Sequence, residues 1–217
     1  CITCGPPSPS SEGRGGGGGG NPAPDAGTPG ANVPDRPVAT STCPSFTAGT
    51  NTLNPTGQNR QIDLYLPDAT ANAPVLFIWH GLGDTADNMA RAFGAQNIAN
   101  QTGAIVVVPH VSGQFHTAWG FVGDSSLDAA LFEEALSCLD AHYGIDRGRV
   151  YTTGFSAGAL WSTWLVMNRS QYLAAAALFS GGVPGPPMGG TYTSPDFDLP
   201  VLALHGGTSD IYGGGVI

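Results

Sequence analysis

The sequence predicts an α/β fold, a mainly parallel sheet with helices on both faces, and three observations predict it. Continuous apolar runs such as Pro74 to His80 (PVLFIWH) and Ala104 to His110 (AIVVVPH) read as strands covered on both sides. Between such runs lie longer stretches of helical periodicity, so strand and helix alternate along the chain. Within that alternation Gly154-Phe155-Ser156-Ala157-Gly158 joins a β-rich segment to an apolar helix.

The 217 residues suffice for one domain with a sizeable core. Residues 1–42 are rich in Gly, Pro and Ser and bury too little apolar surface to offset the entropy of ordering, so a disordered tail or linker is expected. Its glycine run at 15–20 has no Lys-Ser/Thr behind it and reads as linker, not as a phosphate loop. Residues 43–217 are expected to form the catalytic domain. Arg60 to Pro67 (RQIDLYLP) alternates Ile62, Leu64 and Leu66, the pattern of a half-buried strand near a sheet edge. PVLFIWH follows as a buried strand, Thr85 to Thr102 as a helix ending near Gly103, and AIVVVPH as a second buried strand. Ser125 to Tyr143 carries Leu127, Ala130, Leu131, Ala135, Leu136 and Leu139 along one stripe, with Ser125 or Ser126 as cap and Gly144 as terminator. Arg149 to Phe155 is a strand, Ala157 to Asn168 a helix, Leu173 to Ser180 a strand and Leu199 to His205 another buried strand. Functional residues of such sheets gather at the carboxyl ends of the strands.

The chemistry is read at those ends. A serine on a tight strand-to-helix turn is lifted clear of the sheet, and flanking glycines let the turn close. Ser156 is therefore the candidate nucleophile, and the Ala157 amide, at a helix N-terminus, a candidate oxyanion donor. The strand PVLFIWH, expected beside the nucleophile strand, runs into His80-Gly81-Leu82-Gly83-Asp84, whose Leu82 amide is the second candidate donor. His80 is read as a brace for that loop. Asp210, in the turn after LPVLALH, follows Ser156 in the order Ser…Asp…His and is the candidate triad acid. No histidine follows it before Ile217. The expectation is a chain incomplete at its C-terminus, lacking its last strand, last helix and catalytic histidine, and inactive as given. Trp119, Phe121 and His116 are candidates for a pocket wall, with core packing the alternative for the two aromatics. The loop Gly182 to Ser194 emerges at the same face.

Net charge of −9 with no lysine leaves no electrostatic footprint for nucleic acid. No apolar run approaches the ~18 residues of a membrane span. The Cys1–Cys4 pair has no second CxxC or histidine cluster, so no metal site is expected, and no cofactor. Cys1 followed by a Ser/Pro/Gly tail fits a processed bacterial lipoprotein anchored through a lipidated Cys1, or else an arbitrary fragment start. Export favours a disulfide involving Cys43, with its partner left open.

WHGLGD, SLDAALFEEALSCLDAHYGIDRGRVYTTGFSAGA and LHGGTSD together resemble the polyhydroxybutyrate depolymerase and feruloyl esterase group. The resemblance implies an α/β-hydrolase fold and hydrolysis of carboxylic esters, feruloyl, acetyl or polyhydroxyalkanoate in type, on a small molecule or a polymer, through an acyl-enzyme. It implies a secreted or cell-envelope protein. Two readings compete: a serine peptidase of the prolyl-oligopeptidase type, and a non-catalytic surface lipoprotein that uses the fold for binding.

Overall fold

A computed structural model describes residues 37–111, 119–121, 123–182, 192–212 and 215–216. Strands β1 (Gly49–Leu53), β2 (Arg60–Tyr65), β3 (Val75–Trp79), β4 (Ile105–Pro109), β5 (Val150–Phe155), β6 (Ala175–Phe179) and β7 (Val201–Leu204) form one sheet. Their order is β1-β2-β4-β3-β5-β6-β7. β1 to β2 and β2 to β4 are antiparallel, and every pairing from β4 through to β7 is parallel. The expected mainly parallel sheet is present, with β3 beside β5 as anticipated.

Alternation within the strands sorts the core into two layers. Val75, Phe77 and Trp79 of β3 join Leu131, Phe132, Trp161 and Leu165, from α3 (Ser126–Tyr143) and α4 (Ala157–Arg169). Ile78 and, from β4, Val106 and Val108 face the other way, onto Met89, Ala90, Ala95 and Ala99 of α1 (Ala86–Phe93) and α2 (Ala95–Thr102). Helices thus cover both faces.

Several expectations are corrected. Arg60 to Tyr65 lies near the sheet's edge as expected, one strand in from it, but is more than half-buried because β1 covers its outer side and Asp63 is buried with Ile62 and Leu64. β1 (GTNTL) has too little apolar character to be seen in the sequence; it is placed by its ladder to β2 and by buried Asn51, which bonds the Thr47 and Gly49 carbonyls. The helix expected over Thr85 to Thr102 is two helices, broken at Gly94, whose φ of 67° is left-handed. The stripe read on α3 underestimates its burial: Phe132, Glu134, Ser137 and Cys138 are buried with it, leaving no wet face in mid-helix. Neither candidate serine caps α3 through its side chain; Asp124 Oδ1 instead accepts the Ser126 amide at 2.9 Å. β7 is not the buried strand expected. All four of its residues are exposed, since its apolar composition (VLAL) meets no packed layer among the described residues. Beyond it, β8 (Ile211–Tyr212) and β9 (Gly215–Val216) form a small antiparallel pair that no pattern announced.

The segment entering the domain is tied to α3. Glu134 is 1% exposed, and its two oxygens accept from the backbone N–H and hydroxyl of both Thr40 and Ser41. Burial alone would raise its carboxyl pKa, but those donors outweigh it and hold the group below its ordinary value. Cys43 is disulfide-bonded to Cys138 on the same helix, across a separation of 95 residues. On the chain-entropy account a loop of that length is worth about 4–5 kcal/mol. Phe46 then stacks on Tyr143 and edges onto His142.

Candidate active site

Because β3, β5, β6 and β7 are parallel, the loops leaving their carboxyl ends gather at one edge of the sheet. Ser156 lies at the β5–α4 junction with φ 52° and ψ −116°, a conformation that costs a non-glycine residue about 1–3 kcal/mol. Its surroundings enforce it. The Ser156 N–H donates to the Phe179 carbonyl at 2.9 Å, and its own carbonyl accepts from Leu160 at 3.0 Å. Three glycines jam the turn: a Cβ on Gly154 would stand 2.4 Å from the Gly158 carbonyl carbon, one on Gly158 2.0 Å from the Trp79 oxygen, and one on Gly181 2.7 Å from the Ser156 oxygen. The Gly-x-Ser-x-Gly spacing is therefore a packing requirement between β3, β5 and the start of α4. Gly181, outside that motif, completes it and was not foreseen.

The turn after β3 sits against this elbow. A Cβ on Gly81 would lie 3.7 Å from Ser156 Cβ and 3.4 Å from the Phe155 ring. The Asp84 N–H donates to the Gly81 carbonyl at 3.2 Å, and Gly83 has φ 70°, which makes residues 81–84 a tight turn. His80 is 2% exposed, and its Nδ1 donates to the same carbonyl at 2.8 Å. Burial pushes its pKa below the ordinary 6.5, against the opposing pull of the Gly81 bond and Asp84, so the ring stays neutral. Leu82, carrying one candidate amide, and Phe155, the residues next to Gly81 and Ser156 where those two meet, are 46% and 45% exposed, an apolar pair not foreseen although Phe155 lies inside the motif itself. Ala157, carrying the other amide, opens α4 and is buried.

Asp210 follows β7 at the same edge. Its Oδ2 accepts the Gly206 N–H at 2.5 Å, and the Ser180 hydroxyl also bonds it. The Gly206 amide first, then Ser180, with the His205 charge adding, hold its carboxyl below the ordinary 3.8. Ser180 was missed by sequence reading. It sits just past β6 with φ 50° and donates its N–H to the Leu204 carbonyl at 2.8 Å, tying β6 to β7 where Asp210 begins its turn.

His110 Nε2 lies 2.9 Å from Asp63 Oδ2 but out of line for a hydrogen bond, on the β2 side of the sheet and away from Ser156. His142 meets Tyr143 edge-on near the end of α3, and His205 is exposed in the turn before Asp210. Of the pocket-wall candidates, Trp119 is 2% exposed and packs on Trp79 and His80, and Phe121 is half-buried against the main core. These surroundings support the packing alternative for both. His116 and most of the 182–194 loop lie outside the described residues. No cluster able to hold a metal occurs among the described residues, and none of their helices is long and apolar enough to cross a membrane.

Residues 61–191 match the family model described as Esterase PHB depolymerase. The chain is 26% identical over 156 residues to a bifunctional acetylxylan esterase/xylanase of Neocallimastix patriciarum, covering 71% of this chain and 22% of that protein. It is 27% identical over 146 residues to feruloyl esterase D of Neurospora crassa, covering 61% of this chain and 49% of that one. A solved ferulic acid esterase superposes with a TM-score of 0.51 at 21% identity, over 60% of this chain and 58% of its own, and shares the α/β-hydrolase fold. The chain thus spans half or less of the curated relatives named here.

Proposed function

From the premise that the chain belongs to the PHB depolymerase esterase family, we propose that it is a serine hydrolase of carboxylic esters. The observation that carries this reading is the strained Ser156 elbow pressed against the Gly81 turn, with Asp210 at the same sheet edge. An imidazole base takes the Ser156 Oγ proton as Oγ attacks the ester carbonyl and passes it to the alcohol oxygen as the C–O bond breaks; water then adds to the acyl-serine by the same proton route and releases the acid. Charge developing on the carbonyl oxygen is taken by the Ala157 and Leu82 amides, each donor worth about 3–4 kcal/mol in such sites. Asp210 is the carboxylate against which an imidazole base leans; its depressed pKa keeps it ionised at neutral pH.

The substrate class follows the relatives: an acyl group of feruloyl, acetyl or hydroxyalkanoyl type, on a small alcohol or a polymer. The half-exposed Leu82 and Phe155 favour an ester with an apolar portion. We take the catalytic domain expected over residues 43–217 to start earlier, because Glu134 holds Thr40 and Ser41 and Ala39 packs on the core; the residues ahead of that segment are taken as the tether. We place the protein outside the cytosol, secreted or at the cell envelope. The Cys43–Cys138 disulfide supports an oxidising compartment.

The test uses a full-length version that supplies the imidazole base, with p-nitrophenyl acetate and an aminoacyl-anilide. Ester turnover, little anilide turnover, and loss of about 10³-fold or more in both Ser156→Ala and Asp210→Asn support the proposal. Anilide turnover instead points to the peptidase alternative. Ester turnover that survives Ser156→Ala ends the assignment.

A further inference from the structure

The geometry points to Trp119 as a positioning residue that aims the Leu82 amide by fixing the peptide planes before it, a role that rests on the esterase reading above. In a trans peptide the C=O of one residue and the N–H of the next share a plane and point in opposite directions. The Gly81 carbonyl accepts from His80 Nδ1 at 2.8 Å and from the Asp84 N–H at 3.2 Å. With that carbonyl held on two donors, the Leu82 N–H must project from the other side of the plane. The plane before it is held as well: Trp119 Nε1 donates to the His80 carbonyl at 2.8 Å. Trp119 also packs on the His80 ring, with centroids 4.7 Å apart, and meets Trp79 edge-on at 4.9 Å. One indole therefore fixes the peptide leading into Gly81 and steadies the imidazole that fixes the peptide leading out of it.

The indole is itself anchored from two other elements. The neighbouring Gly120 N–H donates to Asp128 Oδ2 at 2.7 Å, and the other oxygen of Asp128 meets Arg60 at 2.6 Å. Arg60, 2% exposed on β2, also donates to the Leu127 and His110 carbonyls. A buried, multiply bonded arginine is costly to hold, and removing one partner of such a pair is strongly destabilising. Here it fastens the residue next to Trp119 to α3. Trp119 and Arg60 are each 2% exposed and present no face to a substrate, so their effect reaches chemistry through the direction of one N–H.

In the same full-length version, the test compares wild type with Trp119→Phe, which keeps a ring and loses the N–H, and with 3-benzothienylalanine at 119, which keeps the indole shape with sulfur in place of N–H. Substrates are p-nitrophenyl esters, and the probe of the oxyanion site is an alkyl boronic acid, whose tetrahedral serine adduct places oxygen where the oxyanion forms. Removing an oxyanion donor outright costs about 10²–10³ in kcat, so misaiming one is expected to cost roughly tenfold to a hundredfold. KM should change less than about twofold, and boronate affinity should fall in step with kcat. His80→Asn, whose amide can still donate to the Gly81 carbonyl, should retain more activity than His80→Ala. Wild-type kcat in the benzothienyl variant overturns the role, as does a fall in kcat with unchanged boronate affinity. Ser156→Ala run alongside separates the two claims: activity that persists there defeats the esterase assignment itself, whereas Ser156-dependent activity indifferent to residue 119 defeats only the positioning role.

Discussion

The two ends of the candidate site are built in opposite ways. Around Ser156 the sheet is buried on both faces: Val75, Phe77 and Trp79 on one and Ile78 on the other have no measurable exposure, Trp79 Nε1 donates to Thr152, and three glycines leave no room for a single added carbon. Around Asp210 the supporting strand is exposed, with Val201 at 46% and Leu202 at 57%, and the carboxylate is held by one amide and one hydroxyl. A strained backbone persists only where its surroundings over-determine it. Ser156 has such surroundings, whereas Asp210 is positioned by hydrogen bonds that water can replace.

That contrast can be broken most severely at Gly158. Gly158→Ala places a Cβ 2.0 Å from a backbone oxygen of the neighbouring strand, where no side chain can yield. The expected outcome is a loss of more than about 4 kcal/mol, at the exceptional end for single substitutions, seen as failure to obtain a cooperative melt. A folded, stable Gly158→Ala protein would mean that the elbow is far looser than described.

A matched pair of truncations sharpens the comparison. Phe77→Ala, in the buried centre, should cost about 3–5 kcal/mol by denaturant unfolding. Leu202→Ala, on exposed β7, should stay within about 0.5 kcal/mol. Equal costs would show that β7 is packed in solution.

Glu134 tests whether the entry segment belongs to the stiff region. Its folded pKa is depressed, so its contribution to stability is present above the ordinary carboxylate value of 4.5 and is lost as pH falls through the lower folded value. In that window the unfolded chain binds more protons, and stability rises with pH. The protection factors of the Thr40 and Ser41 amides, taken against the intrinsic exchange rate at each pH, should fall on acidification, and Glu134→Gln should flatten the dependence by losing the charged acceptor. Protection factors unchanged through that window would refute the clamp.

The smallest change in stability is expected at Asp210. Its depressed pKa carries the same sign, with stabilisation present above the ordinary 3.8 and lost as pH falls below it, but the group is solvated and its hydrogen bonds are replaceable. Asp210→Asn should leave the melting temperature of the chain unchanged within error while carbon-detected NMR of wild type places the carboxyl pKa below 3.8. A clear drop in melting temperature would move Asp210 into the stiff region.

Much of this was legible in advance. The strands VLFIW and IVVVP announce double burial by their unbroken apolar character, and their parallel neighbours follow from the helices between them. Phe155-Ser156-Ala157 could be recognised because its glycines are a local requirement of a local turn. β1 could not, for its placement depends on a ladder to β2 and a buried asparagine rather than on its own hydrophobicity. Nor could Ser180 and Trp119, whose roles are hydrogen bonds to residues far off in the chain.

The chain's own composition and periodicity determined the layered α/β architecture, the elbow at Ser156, and the placing of Asp210 after a strand. These are short-range facts, written in residues that are neighbours or lie one helical turn apart. Tertiary structure alone decided that Cys43 bonds Cys138, that Gly181 and Trp79 close the elbow, and that β7 stands exposed. Each of these depends on which distant segments share a surface, and a one-dimensional pattern records how a segment wants to be buried but not against what.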